Sequence, residues 1–201
     1  MNNYYLLSWR HTSELASAIA LKETRLDHEL IAELEGKNFL PFDFELKRIK
    51  ETKGGLIIDD DLKALKEVWM DYQPNSLAWP LMSERLRSLI EANLTGNEQI
   101  DWITCIVKNR NEERPYFILR FNKMLDVLDI QKTIFVQDTD VIVKPVFSLS
   151  KVNKYNIFMA ATTGYGYLWK ITPGLYVSET LQKAVQKQKL TGLDFEKISV
   201  L

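Results

Sequence analysis

This chain is poor in the residues that build many reactive centres. It has one cysteine, Cys105, and two histidines, His11 and His28, among 201 residues. A lone cysteine makes no internal disulfide, so nothing requires an oxidising compartment. The histidines show no metal-binding spacing and the cysteine adds no ligand beside them, which excludes the common zinc patterns. No G-x-S-x-G element exists, and with it goes the nucleophile elbow of a large hydrolase class. No apolar run approaches the ~20 residues of a membrane-spanning helix. The opening MNNYYLLSWRH has neither a basic n-region nor a long apolar h-region, so no signal peptide is expected. A net charge of −1 argues against nucleic acid or an anionic membrane as partner. Linkers rich in proline, glycine or serine are absent, as are low-complexity tracts. The expectation is a cytoplasmic, soluble protein with no cofactor and no metal.

What is present is a large apolar fraction, 46% of residues with five tryptophans, enough for a substantial core. Residues 1–201 read as one domain. Within it, 1–69 form a variable-looking N-terminal part and 70–201 carry the more decisive patterns.

The most distinctive of these is written twice. Leu81 to Ile103 reads LMSERLRSLIEANLTGNEQIDWI, and Leu175 to Ile198 reads LYVSETLQKAVQKQKLTGLDFEKI. Both contain Ser-Glu-x-Leu, an apolar helical face, Leu-Thr-Gly, then an acid and an aromatic. Ser83 and Ser178 are natural N-caps. Leu86, Leu89, Ile90 and Leu94 form one buried stripe, and Leu181, Ala184 and Val185 the other. Gly96 and Gly192 are expected to stop the helices and hand the chain to strands.

Elsewhere, residues 4–9 suit a strand, 12–22 a helix of mixed period, and 25–35 a helix closed by Gly36. Residues 38–50 alternate as a strand with Pro41 near its edge, and Gly54-Gly55 breaks the pattern. A helix is predicted from Asp60 to Met70, with Leu62, Leu65, Val68 and Trp69 on one face; Tyr72 to Pro80 is a loop. Ile100 to Val107 and Tyr116 to Phe121 form a hairpin across the polar turn 109–114. Met124 to Asp129 is a short helix or turn. Further strands are expected at 133–137, 141–147, 157–161, 167–171, 175–177 and 195–200. Strands and helices without a regular βαβ period predict an α+β fold, with a mixed or mainly antiparallel sheet and several amphipathic helices.

Candidate chemistry is sparse. Asp138 and Asp140 flank Thr139 in a D-x-D pair that suits either a cation site or a turn. Asp59, Asp60 and Asp61 precede an apolar face, where capping and contact with a basic partner are both open. Thr162 to Gly166 holds a G-x-G without the third glycine and the following helix of a phosphate loop, which favours a hairpin turn. Cys105 falls in the most apolar strand, where an inert thiol is expected.

The blocks Leu77–Ile90, Tyr116–Asp129 and Leu175–Ile198 together resemble one family of bacterial immunity proteins, immunity protein family eleven, formerly a domain of unknown function. Val177-Ser178-Glu179, Leu181, Thr191-Gly192 and Phe195 match its C-terminal signature, and the likeness covers roughly residues 70–201. The resemblance implies a non-enzymatic protein that binds and neutralises a cognate toxin by stoichiometric occlusion. The toxin would be the C-terminal domain of a larger secreted or surface protein of a polymorphic or contact-dependent system. Exposed loops then become candidate contacts: Asp59, Asp60, Asp61, Asn109, Arg110, Arg114, Asp138, Asp140, Tyr165 and Tyr167. Two alternatives stay open. One is a small enzyme acting on a phosphate or nucleotide through Asp138 and Asp140; the other is a non-catalytic scaffold domain.

Overall fold

The computed structural model describes residues 3–21, 23, 25–161, 166 and 168–201. The chain opens with β1 (Tyr4–Trp9), β2 (Glu14–Ile19), α1 (Asp27–Glu33), β3 (Phe44–Thr52) and β4 (Gly55–Asp59). Next come β5 (Tyr72–Gln73), β6 (Leu81–Met82), α2 (Glu84–Ala92), β7 (Ile100–Lys108) and β8 (Glu113–Phe121). β9 (Ile134–Phe135), β10 (Ile142–Lys144), α3 (Leu149–Val152) and β11 (Ile157–Met159) follow. β12 (Leu175–Ser178), α4 (Glu179–Lys187) and β13 (Leu193–Ile198) end it.

The fold is α+β. One sheet has the order β11-β12-β1-β13, all antiparallel. A larger one runs β2-β3-β7-β8-β6-β5, with β4 added to β3 and a single parallel pair, β3 with β7. This sheet nearly closes on itself. Ala18 meets the segment after β5, donating to Pro74 and accepting from Ser76, and the buried Gln73 amide donates to the Ala16 carbonyl at 2.8 Å. A third, two-stranded ribbon pairs β9 with β10.

Period-two alternation divides β8 between two cores. Tyr116 and Ile118 join Ala16, Phe44, Leu46, Ile103, Cys105 and Val107 within the curved sheet. Leu119 and Phe121 point the other way, toward Tyr4, Leu7, Leu86, Ile90, Leu181 and Val185. The strand is therefore apolar on both faces. Arg120, only 8% exposed, is satisfied by a fork onto Asp101 at 2.7 and 2.8 Å and by the Leu34 carbonyl at 2.7 Å. That last bond also quenches a carbonyl at the C-terminal end of α1.

The two similar sequence segments occupy equivalent places. β5-β6-α2-β7 with β8 gives the order β5-β6-β8-β7, and β11-β12-α4-β13 with β1 gives β11-β12-β1-β13. The registers correspond as well. Met82 lies opposite Phe117 and Ile100 opposite Phe121; Val177 lies opposite Tyr5 and Leu193 opposite Trp9. The fourth strands read YFILRF at Tyr116–Phe121 and YYLLSW at Tyr4–Trp9. The second unit thus borrows its last strand from the chain's beginning.

Each serine caps its helix as expected, accepting from Leu86 or Leu181 at 3.3 Å. The glycines act slightly later. α2 ends at Asn93 and α4 at Gln188, while Gly96 and Gly192 hold positive φ in the turns that follow.

Several expectations are corrected. Residues 14–19 form a strand instead of a helix, because their small side chains (Ala16 and Ala18 fully buried) let β2 pair along β3. The predicted helix Asp60–Met70 shrinks to one 3-10 turn at Leu62–Ala64. Asp61 does cap it, accepting from the Lys63 amide at 3.1 Å. The chain then turns extended at Leu65, and Leu62, Leu65, Val68 and Trp69 pack individually against the curved-sheet core. Met124–Asp129 forms no helix, and Leu168–Lys170 is a 3-10 turn where a strand was expected. β4 and α3 had no sequence expectation at all. The turn predicted at 162–166 lies outside the described residues apart from Gly166.

Candidate partner-binding surface

The β9–β10 hairpin projects from a firmly held base. Thr133, buried, donates its hydroxyl to Asp129 at 2.9 Å and accepts from the Val146 amide at 3.2 Å. Phe147 closes the base, bridging to Leu128 and packing its ring against Tyr176 and Phe158 at centroid distances of 4.5 and 5.3 Å. Beyond that base, aliphatic side chains face solvent: Ile130, Ile134, Val136, Val141 and Val143, the last 62% exposed. Adjoining apolar side chains of this number on one element mark an interaction surface more often than idle solvent contact.

The tip explains its own sequence. Asp138 sits at φ +58, a region aspartate tolerates and β-branched residues do not. Thr139 folds back, its amide and hydroxyl both donating to Val136 at 3.1 and 3.0 Å, and its Oγ1 accepts from Val141 at 3.2 Å. A groove of about 760 Å³ runs beside the tip, lined by Met124, Ile130, Phe135, Val136 and the Asp138–Asp140 turn. Both aspartates are exposed on its rim. Among the described residues no three metal-ligating side chains cluster, so the pair has no third ligand there. Geometry and sequence agree on a turn that displays two carboxylates.

A second group of candidates does converge, at the far end of β8. Asp60 is bonded by Lys47 at 2.7 Å and approached by Arg110 at 3.5 Å. The Lys47 hydrogen bond, aided by Arg110, holds the Asp60 carboxyl below the usual carboxylate range. Asp59 lies 3.7 Å from Arg48. Asn109 is occupied by its own turn, accepting from the amides of Asn111 and Glu112 at 2.8 and 2.9 Å. Arg114 lies over the Trp69 ring, 4.5 Å from its centre, and bonds Glu112. Tyr165 and Tyr167 lie outside the described residues.

Sequence reasoning named the acidic tip but missed the aliphatic residues beneath it. The signal was available: Ile134, Val136, Val141 and Val143 crowd a hairpin too short to bury both faces. Cys105 behaves as expected, buried with its thiol toward the Tyr116 carbonyl at 3.6 Å. Burial, with Asp43 adding to it, pushes the thiol's pKa far up. Among the described residues no helix is long and apolar enough to cross a membrane.

The model of the Immunity protein family (Imm11) matches residues 27–200. The chain belongs to this immunity protein family. The match begins well upstream of the 70–201 segment that carried the resemblance, so α1, β3 and β4 fall inside it. A comparison with curated proteins returns no match. Immunity proteins in general neutralise toxins and are not enzymes.

Proposed function

We propose that this Imm11 protein binds a cognate bacterial toxin and neutralises it by stoichiometric occlusion, without catalysis. The toxin is taken to be the C-terminal domain of a larger secreted or surface protein of a polymorphic toxin system. Neutralisation takes place in the cytoplasm and involves neither nucleic acid nor membrane. Family membership across residues 27–200 is the observation that carries the reading.

The β9–β10 hairpin is the surface proposed to meet the toxin. Its aliphatics supply area that loses water on binding, and Asp138 and Asp140 at the rim attract a basic toxin face and set orientation. Asp59, Asp60, Asp61, Asn109, Arg110 and Arg114 are less suited as anchors, because most already bond within the chain.

Co-expression with the product of the adjacent toxin gene tests the function. The expected result is restored growth and a complex of fixed stoichiometry on gel filtration. Persistent toxicity overturns the immunity reading. Full protection at far less than one protein per toxin overturns occlusion and favours an enzyme.

A further inference from the structure

Neither strand of the β9–β10 hairpin pairs with any strand but the other, among the described residues. Ile142 packs against the core, whereas Ile134 and Val143 are 52% and 62% exposed. A two-stranded ribbon on its own is marginal in water, so the direction of this one is set at its base. There Phe147 sits between two partners, bridging antiparallel to Leu128 and parallel to Val200. The base thus gains a third strand, supplied by the segment that follows β13. Because β13 is registered on β1 from Leu193 to Ile198, the hairpin hangs from the four-stranded sheet.

A ring of hydrogen bonds closes round that base. The Leu201 amide donates to the Phe147 carbonyl at 3.0 Å. The Leu201 carbonyl accepts from the Leu149 amide, at the start of α3, at 2.6 Å. Ser148 makes no side-chain cap there, so the Leu201 carbonyl satisfies a helix-end donor in its place. Lys151, on α3, donates its ammonium to the Leu128 carbonyl at 2.9 Å and to Asp126 at 2.8 Å. Leu128 pairs with Phe147, which completes the circuit. Leu149 and Leu201 are exposed and Lys151 is half-buried, so the ring removes little apolar area from water. What it fixes is the direction of the hairpin.

We propose that Lys151 and the Leu201 backbone are positioning groups for toxin binding, their ring aiming the β9–β10 hairpin before the toxin arrives. The proposal rests on the hairpin being the surface that meets the toxin. A hairpin free to swing has to be ordered on binding, and the entropy of ordering it is lost from the affinity. A hairpin already held avoids that loss. Lys151 acts through Leu128, and Leu201 through Phe147.

Two full-chain variants test this. Lys151→Met keeps the side-chain stem and removes the donor, and Leu201→Pro removes the amide that reaches Phe147. Without toxin, each is expected to exchange the base amides of Asp129, Thr133 and Ser148 about tenfold faster than wild type, while the β1 amides keep their rates. Isothermal titration with the toxin domain is expected to give a Kd about tenfold weaker at an unchanged urea midpoint. Lys151→Arg, which keeps a donor, is expected to recover most of the affinity. Ile134→Lys, run alongside, separates this proposal from the surface reading. If Ile134→Lys binds as wild type does, the hairpin is not the toxin surface, and the proposal falls with it. If Ile134→Lys binds weakly while Lys151→Met and Leu201→Pro match wild type, positioning alone is overturned. Base amides that keep wild-type exchange overturn the ring's hold on the hairpin. An affinity loss matched by a lower urea midpoint marks a merely structural role and overturns the proposal too.

Discussion

Asp71 and Thr191 bond each other in both directions across 120 residues of chain. The Thr191 amide donates to Asp71 Oδ2 at 2.9 Å, and the Asp71 amide donates to Thr191 Oγ1 at 3.3 Å. The other carboxylate oxygen of Asp71 takes the hydroxyl of Ser83, the α2 cap, at 2.6 Å. One carboxylate thus ties the first unit's helix cap to the second unit's Thr-Gly turn. The reciprocal tie is made by Asn156, which accepts the Ser178 hydroxyl at 2.5 Å and donates to the Asn93 carbonyl at 2.7 Å. Its amide also donates to buried Glu98, which holds Thr95.

Asp71→Ala is predicted to lower stability by about 3 kcal/mol, because it leaves the partly buried Thr191 amide and the Ser83 hydroxyl without their acceptor. Asp71→Asn, which keeps one acceptor, is predicted to cost less. Urea unfolding midpoints at constant m check both.

The two Thr-Gly glycines are predicted to differ despite their shared motif. A Cβ on Gly192 meets the Tyr72 carbonyl at 2.4 Å and Met70 at 2.8 Å, whereas one on Gly96 meets nothing within 4 Å. Both have positive φ, so Gly96→Ala costs about 1 kcal/mol from backbone strain alone. Gly192→Ala adds a clash with backbone and is predicted to cost about 3 kcal/mol or more. Thermal melts of the two variants side by side decide it.

Cys105 is predicted to resist Ellman's reagent in the native state at pH 8 and to react fully once the chain unfolds. The sign follows from its raised pKa. The folded state favours the neutral thiol, so this contribution to stability is complete below the unfolded thiol's pKa of about 8.5. It declines as pH rises above that. Rapid labelling of folded protein contradicts the burial.

Ile134→Lys and Val143→Lys are predicted to weaken toxin neutralisation, each by about tenfold, while leaving the melting temperature within error. Both side chains are more than half exposed, so the fold loses little apolar burial. Asp138→Asn with Asp140→Asn is predicted to slow association and flatten its salt dependence. Isothermal titration and stopped-flow mixing with the purified toxin domain measure the two effects.

Legibility followed the range of the interaction. Ser83 and Ser178 were readable as caps because a cap is settled within three residues. The β7–β8 hairpin was readable because its turn and two apolar strands are contiguous. By contrast, Glu14–Ile19 and Asp60–Met70 have patterns that suit a helix, and neither forms one. Their partners are β3 and Trp69's stack on Tyr116, 6.2 Å between ring centres. For the proposed binding surface, the acidic tip stood out, but exposure of the aliphatics below it did not.

By itself, the sequence determined the α+β class, the two capped helices, the left-handed Gly36 and the family. Each depends on residues close together in the chain or on the order of blocks along it. Only the tertiary structure decided which strands join which sheet, that β1 completes the second unit, and that Asp71 and Asn156 lock the two units together. It alone left β4 and the β9–β10 hairpin uncovered. The physical reason is that local propensities differ by less than about 1 kcal/mol per residue. Pairing and burial between distant segments, summed over a sheet, outweigh them, and no short stretch of sequence records its partner.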